Sequence, residues 1–252
     1  MYFVALLLKV RSVEEARTTE CTVSRDIHHV LADYYCSLAA SHQQMYDITV
    51  SLLRCEPWHA LLRLTICSRE ETPVSAILET AIPSLFQHGH GRYEVQSIDL
   101  TNPRWARIST WADLLSQQTE RFMHFSFATP LITAEPGRQQ NRNVLPFPEP
   151  LTLFSSLAHR WLTLGGPTLA GSADQLIRAS GCVVSKYRLR SLMREGSLPA
   201  TMGYLGWIEY ECLRYNQEVI ASLNALARLA FFTGTGYLTA YGMGSTITRL
   251  SS

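Results

Sequence analysis

The chain has 252 residues, 46% of them apolar and 17% charged, which is enough to fill one large globular domain or two small ones. Its amino-terminal apolar run, Tyr2 to Leu8, has no basic segment before it and meets Lys9, Arg11, Glu14 and Glu15 at once, so it reads as a strand and not as a signal peptide or membrane span. The six cysteines form no C-x-x-C pair, which excludes a zinc knuckle or a dithiol redox site and points to free thiols in a reducing cytoplasm.

Periodicity sets out the elements in chain order. In the first half YFVALLLKV predicts a strand, the stretch from about Ile27 a helix, WHALLRLTI a strand, TPVSAILETAIPSLF a helix and RYEVQSIDL a strand. The second half repeats the order. FMHFSFATPLI predicts a strand, PEPLTLFSSLAHRWLTL a helix, CVVSKYRLRSL and GYLGWIEYECL a strand pair, EVIASLNALARLAFF a helix and YLTAYGMGSTI a closing strand. The expected fold is therefore α+β, two tandem ferredoxin-like (RRM/RAMP) units over residues 1–101 and 119–252, each an antiparallel sheet with helices on one face. The second strand of the first unit is the weakest of these signals. Residues 102–118 read as the connector, and VLPFPEP as an extended lead into the next helix.

Charge is unevenly spread. Residues 1–100 hold 8 Lys and Arg against 12 Asp and Glu, whereas 151–252 hold 9 against 5. All cations but Lys9 and Lys186 are arginine, the side chain that grips phosphate bidentately and stacks on bases. Within SKYRLRSLMRE, Lys186, Arg188, Arg190 and Arg194 recur at even spacing, so a strand would turn all four to one face and could follow a line of phosphates. An exposed strand guarded by charge against aggregation is the alternative.

The stretch FFTGTGYLTAYGMGS, residues 231–245, carries Gly234, Gly236, Gly242 and Gly244. A dinucleotide fingerprint is excluded, because G-x-G-x-x-G must follow a strand and open a helix, whereas this loop follows a helix and lacks the third glycine. What remains is a turn and strand stripped of side chains so that another backbone can come close, either RNA or a facing sheet.

This terminal helix and loop, LARLAFFTGTGYLTAYGMG, resembles the CRISPR repeat-RNA processing endoribonuclease family of the RAMP superfamily (Cas6-type). Upstream, FSFATPLI and LPFPEPLTLFSSLAHRW are similar to the family's strand ending in a small residue and proline and to its proline-led helix, so the likeness runs over about residues 120–250. By that resemblance the glycine loop, with Tyr237, lies along RNA, and the activity is cleavage of CRISPR repeat RNA without a metal or other cofactor. The 2′-hydroxyl attacks its own phosphate, leaving a 2′,3′-cyclic phosphate and a 5′-hydroxyl. The family's histidine follows the first helix, where SLAASHQQMYDITVSLL presents His42. His28 shares a side stripe with it, but in one continuous helix the two would stand about 21 Å apart. A break near Cys36 and Ser37 would bring them together, as the family's layout implies. The family's lysine after the histidine is missing, and Arg25 or Arg54 could replace it.

Two functions follow: a repeat-RNA endonuclease in the cytoplasm, or a non-catalytic RAMP subunit that holds guide RNA in an effector complex. The expected partners are CRISPR repeat RNA and, more openly, other CRISPR effector subunits or a second copy of the chain, with no membrane.

Overall fold

In the computed structural model the described residues are 2–12, 46–55, 59–68, 75, 78, 82, 84–88, 91–116, 119–133, 147–194, 201–239 and 242–251. They form two compact units, residues 1–110 with 240–242 and residues 111–239 with 243–252.

In the first unit β1 (Tyr2–Ser12) is buried along almost its whole length, and YFVALLLKV accordingly reads as a continuous apolar run and not as an alternating one. One edge of β1 pairs with β3 (His59–Ser68), which in turn pairs with β2 (Tyr46–Cys55). Two strands share its other edge: β5 (Gly91–Asp99) takes Leu7 to Ser12, and β6 (Arg107–Thr110) takes Tyr2 to Ala5. A short β4 (Leu85–His88) extends the sheet beyond β5, giving the order β2-β3-β1-β5-β4 with every pair antiparallel. Val4, Leu6, Leu8 and Val10 meet Leu62, Leu64 and Ile66 in one core layer, the period-2 face of both strands. On β3 the Arg63 side chain is also buried, and its Nε donates to the carbonyl oxygen of Trp105 at 3.1 Å. Burial, and after it the charge of Arg107, pulls that guanidinium down to about 9, still protonated at neutral pH.

The second unit runs α1 (Trp111–Leu114), β7 (Phe122–Leu131), α2 (Pro150–Thr163), α3 (Ala173–Ser180), β8 (Cys182–Arg194), β9 (Thr201–Cys212), α4 (Gln217–Thr233) and β10 (Thr246–Ser251). Its sheet has the antiparallel order β10-β7-β9-β8, so the first strand of the unit lies between the third and the fourth. That is the ferredoxin-like arrangement. Pro150 opens α2, where its missing N–H costs nothing. Ser172 and Gln175 close a capping box on α3, and Gly181 ends that helix in the left-handed region. The Asn216 side chain accepts from Val219 N–H at the start of α4. Nearly every residue of α4 is buried, including Asn224, which is satisfied because its amide accepts from Glu120 N–H at 2.7 Å and donates to Glu120 C=O at 3.1 Å.

The α+β class and the two antiparallel sheets agree with the sequence reading, and four details differ. The helix expected over TPVSAILETAIPSLF stops short, since its last two residues, Leu85 and Phe86, belong to β4. The connector 102–118 holds β6 and α1. The helix α3 was not expected. The closing strand is TITRLS and not YLTAYGMGSTI, because Gly242 and Gly244 take left-handed φ values of +77 and +62, which turn the chain before Thr246.

Candidate nucleic-acid interface

Strand alternation divides the side chains of the second sheet cleanly. Met123, Phe125 and Phe127 of β7 turn to the helices, where Phe125 meets Phe154 of α2 and Tyr210 of β9 edge to face. Phe122, His124 and Ser126 therefore take the opposite, open face. Register carries this face across the sheet in two adjacent rows. In one, Arg249 of β10, His124 of β7, Glu209 of β9 and Lys186 of β8 stand side by side; in the next stand Ile247, Ser126, Trp207 and Arg188. Arg190 follows opposite Leu205, and Arg194, the last residue of β8, pairs with Thr201.

Thus Lys186, Arg188 and Arg190 do share a face, and all three are exposed. They differ in what holds them. Lys186 Nζ lies 3.7 Å from Glu209 Oε1, and the same carboxylate oxygen accepts from the Ser185 hydroxyl at 2.9 Å. Among the described residues Arg188, Arg190 and Arg249 have neither an ion-pair nor a hydrogen-bond partner, while Glu211 at the far end is taken by Arg121 at 2.9 Å. Gly206 of β9, at φ +128, lets the Arg188 carbonyl come so close that an added Cβ would stand 2.0 Å from its oxygen. The rings of His124 and Trp207 stack with centroids 5.2 Å apart and an interplanar angle of 28°. Burial first, and Arg249 third, lower the His124 pKa from its ordinary 6.5 while Glu209 opposes them, a shift that favours the neutral imidazole. The sequence reading passed over this pair, although His124 and Trp207 sit at open-face positions of the alternating runs FMHFSFA and GYLGWIEYE.

The glycine loop is tied down by the protein's own backbone. Thr235 N–H donates to Gly244 C=O at 2.9 Å, Gly244 N–H to Pro130 C=O at 2.9 Å and Tyr237 N–H to Ile132 C=O at 2.8 Å. Ser245 N–H donates to the Thr129 hydroxyl at 2.8 Å. A Cβ at Gly244 would lie 1.9 Å from Thr235 O, one at Gly236 2.3 Å from Ile132 O, and one at Gly234 2.9 Å from Gly244 O. The protein's own backbone thus accounts for these three glycines: Gly236 meets Ile132 just past the end of β7, and Gly234 and Gly244 meet the opposite arm of the loop itself. Arg160 of α2 fastens the loop from the helix side, its guanidinium donating to the carbonyls of Thr233 and, at 2.6 Å, Gly236. Gly242 has φ +77, and Tyr237 is 47% exposed.

His42, His28 and Arg25 lie outside the described residues, as does His90. Arg54 is exposed on β2, His59 opens β3 opposite Arg11, and His159 is exposed on α2. Cys67, Cys182 and Cys212 are buried, on β3, β8 and β9. Among the described residues no group of three His, Cys, Asp or Glu side chains is placed to hold a metal, and no helix is long and apolar enough to cross a membrane.

Two tandem ferredoxin-like units, the second with a cation-bearing open sheet and a glycine loop folded back on its first strand, make up a RAMP-like fold. The same fold recurs over almost the whole chain in solved structures. A Cas6 product complex superposes with a TM-score of 0.73 at 22% identity, covering 99% of this chain and 100% of that one. The Cas6 of Thermus thermophilus gives 0.72 at 21% identity over 98% of both chains. A RAMP protein binding different RNA substrates gives 0.53 at 17% identity, covering 98% of this chain and 99% of that one. No curated protein sequence matches the chain. Residues 125–246, the glycine loop and the cationic hairpin included, match the model of the CRISPR-associated endoribonuclease Cas6 family.

Proposed function

We propose that this protein is an endoribonuclease that cuts CRISPR repeat RNA to release guide RNAs in the cytoplasm. The observation that carries the reading is the family match over residues 125–246. Cleavage proceeds without a metal: a base takes the proton of the 2′-hydroxyl, the 2′-oxygen forms its bond to phosphorus, and the 5′-oxygen leaves with a proton from an acid. The ends are a 2′,3′-cyclic phosphate and a 5′-hydroxyl.

His42 is the main proton-transfer group and His28 the second, since imidazole titrates near neutral pH and can serve either transfer. Lys186, Arg188, Arg190 and Arg194 hold phosphates, and the surface of the glycine loop, with Gly234, Gly236, Tyr237, Gly242 and Gly244, lies along the RNA. Incubation with repeat RNA in EDTA, followed by end-group analysis, tests the chemistry. His42→Ala should slow cleavage by about 100-fold or more with RNA affinity nearly unchanged. Full activity in that variant moves the site to His28. Tight binding without cleavage by the wild type supports instead a RAMP subunit that only carries guide RNA.

A further inference from the structure

We infer that the open face of the second sheet is a stacking site for unpaired RNA bases, with Trp207 and His124 as the platform and Arg188 and Arg249 as the phosphate grips on either side. The inference rests on the RNA-binding reading above and adds the residues that meet bases, which the cationic strand alone does not supply.

Placement is the first support. His124 and Trp207 lie on the two central strands, β7 and β9, of a four-stranded antiparallel sheet, and both rings are half-buried on the side away from the helices. Aromatic side chains on the central strands of such a sheet are the means by which small RNA-binding domains stack two or three bases. Their flanks are the second. Ser126 stands across from Trp207 on β7, so a small side chain leaves room beside the indole, and Arg188 stands across from it on β8. Arg249 stands across from His124 on β10. The two arginines thus bracket the aromatic pair from the outer strands, about three strand spacings or 14 Å apart.

Charge selects the occupant. Both acidic groups of the face are already engaged, Glu209 by Lys186 and Ser185 and Glu211 by Arg121. The three arginines without partners leave the face cationic, which suits a polyanion with flat apolar rings. A neutral imidazole adds to the platform without repelling Arg249.

The test is binding of the full chain to a short unstructured RNA that is not a repeat, read by anisotropy over a salt series. Trp207→Ala should weaken binding about 5- to 100-fold, the worth of one stacked base, with an unchanged slope of log affinity against log salt. Trp207→Phe should keep most of the affinity, and Arg188→Ala should lower the slope by about one. RNA carrying 2-aminopurine should be quenched on binding to the wild type, and abasic RNA should bind more weakly to the wild type than its parent does, measurements that need no variant to fold. Unquenched 2-aminopurine, equal affinity for abasic RNA, or a duplex bound as tightly as the single strand would overturn the inference, as would selection of an acidic peptide over RNA. Repeat cleavage retained alongside any of those results would leave the proposed function standing.

Discussion

The glycine loop and the β8 strand were both expected to grip RNA, and the molecule treats them in opposite ways. The loop has surrendered its side chains to neighbours within the unit: Thr235, Ile132 and Gly244 itself occupy the space where Cβ atoms would go. Strand β8 has kept long side chains whose charges, at Arg188 and Arg190, meet nothing within the unit. A missing side chain marks a close approach without saying by what, whereas an unanswered charge points outward. Function and packing are therefore read from different signals, even within one unit.

Three sets of substitutions would break or sharpen that contrast. The largest effect is expected from Gly244→Val or Gly236→Val, which force a β-branched residue into positive φ against a carbonyl oxygen. Thermal and urea melts should show a loss of about 4 kcal/mol or more, or no cooperative fold at all. Variants that melt like the wild type but bind RNA poorly would return the loop to RNA. Next comes Arg160→Ala, which leaves the carbonyls of Thr233 and Gly236 without their charged donor. A loss of about 2 kcal/mol is expected in the same melts. The smallest effect on stability belongs to the Arg188→Ala and Arg190→Ala pair, within about 0.5 kcal/mol of wild type. Their cost appears in RNA binding, where the salt slope should fall by about one for each lost contact. An unchanged slope would make them solvating charges only.

Long elements with a strong period were legible in the sequence: β1, β7, α2, α4 and the β8–β9 pair lie close to where their patterns place them. Short ones were not. Helix α3 has eight residues, too few for a helical period, although its S-x-x-Q capping box was there to be read at Ser172 and Gln175. The four residues each of β4, β6 and α1 carry no period at all. The closing strand was placed too early because Tyr237, Leu238 and Tyr241 have strand-forming chemistry, while the left-handed glycines on either side, Gly236, Gly242 and Gly244, decide the path. For the site, even spacing sufficed to put Lys186, Arg188 and Arg190 on one face. What spacing could not show was that Glu209 already holds Lys186, since that depends on register with a strand more than twenty residues away. The stacking of His124 on Trp207 is hidden for the same reason.

The place of β7 between β9 and β10 also governs how the second unit is assembled. Phe122 to Leu131 is made first of the four strands, yet its two partners begin only at Thr201 and Thr246. Until both arrive, a strand alternating Met123, Phe125 and Phe127 has two open edges, the pattern that seeds association between chains. Pairings of such long range are slow to form. The hazard of this architecture is therefore kinetic: the yield of active protein will depend on how fast β10 closes the sheet, and slower synthesis or lower temperature during expression should raise it without changing the stability of the finished fold.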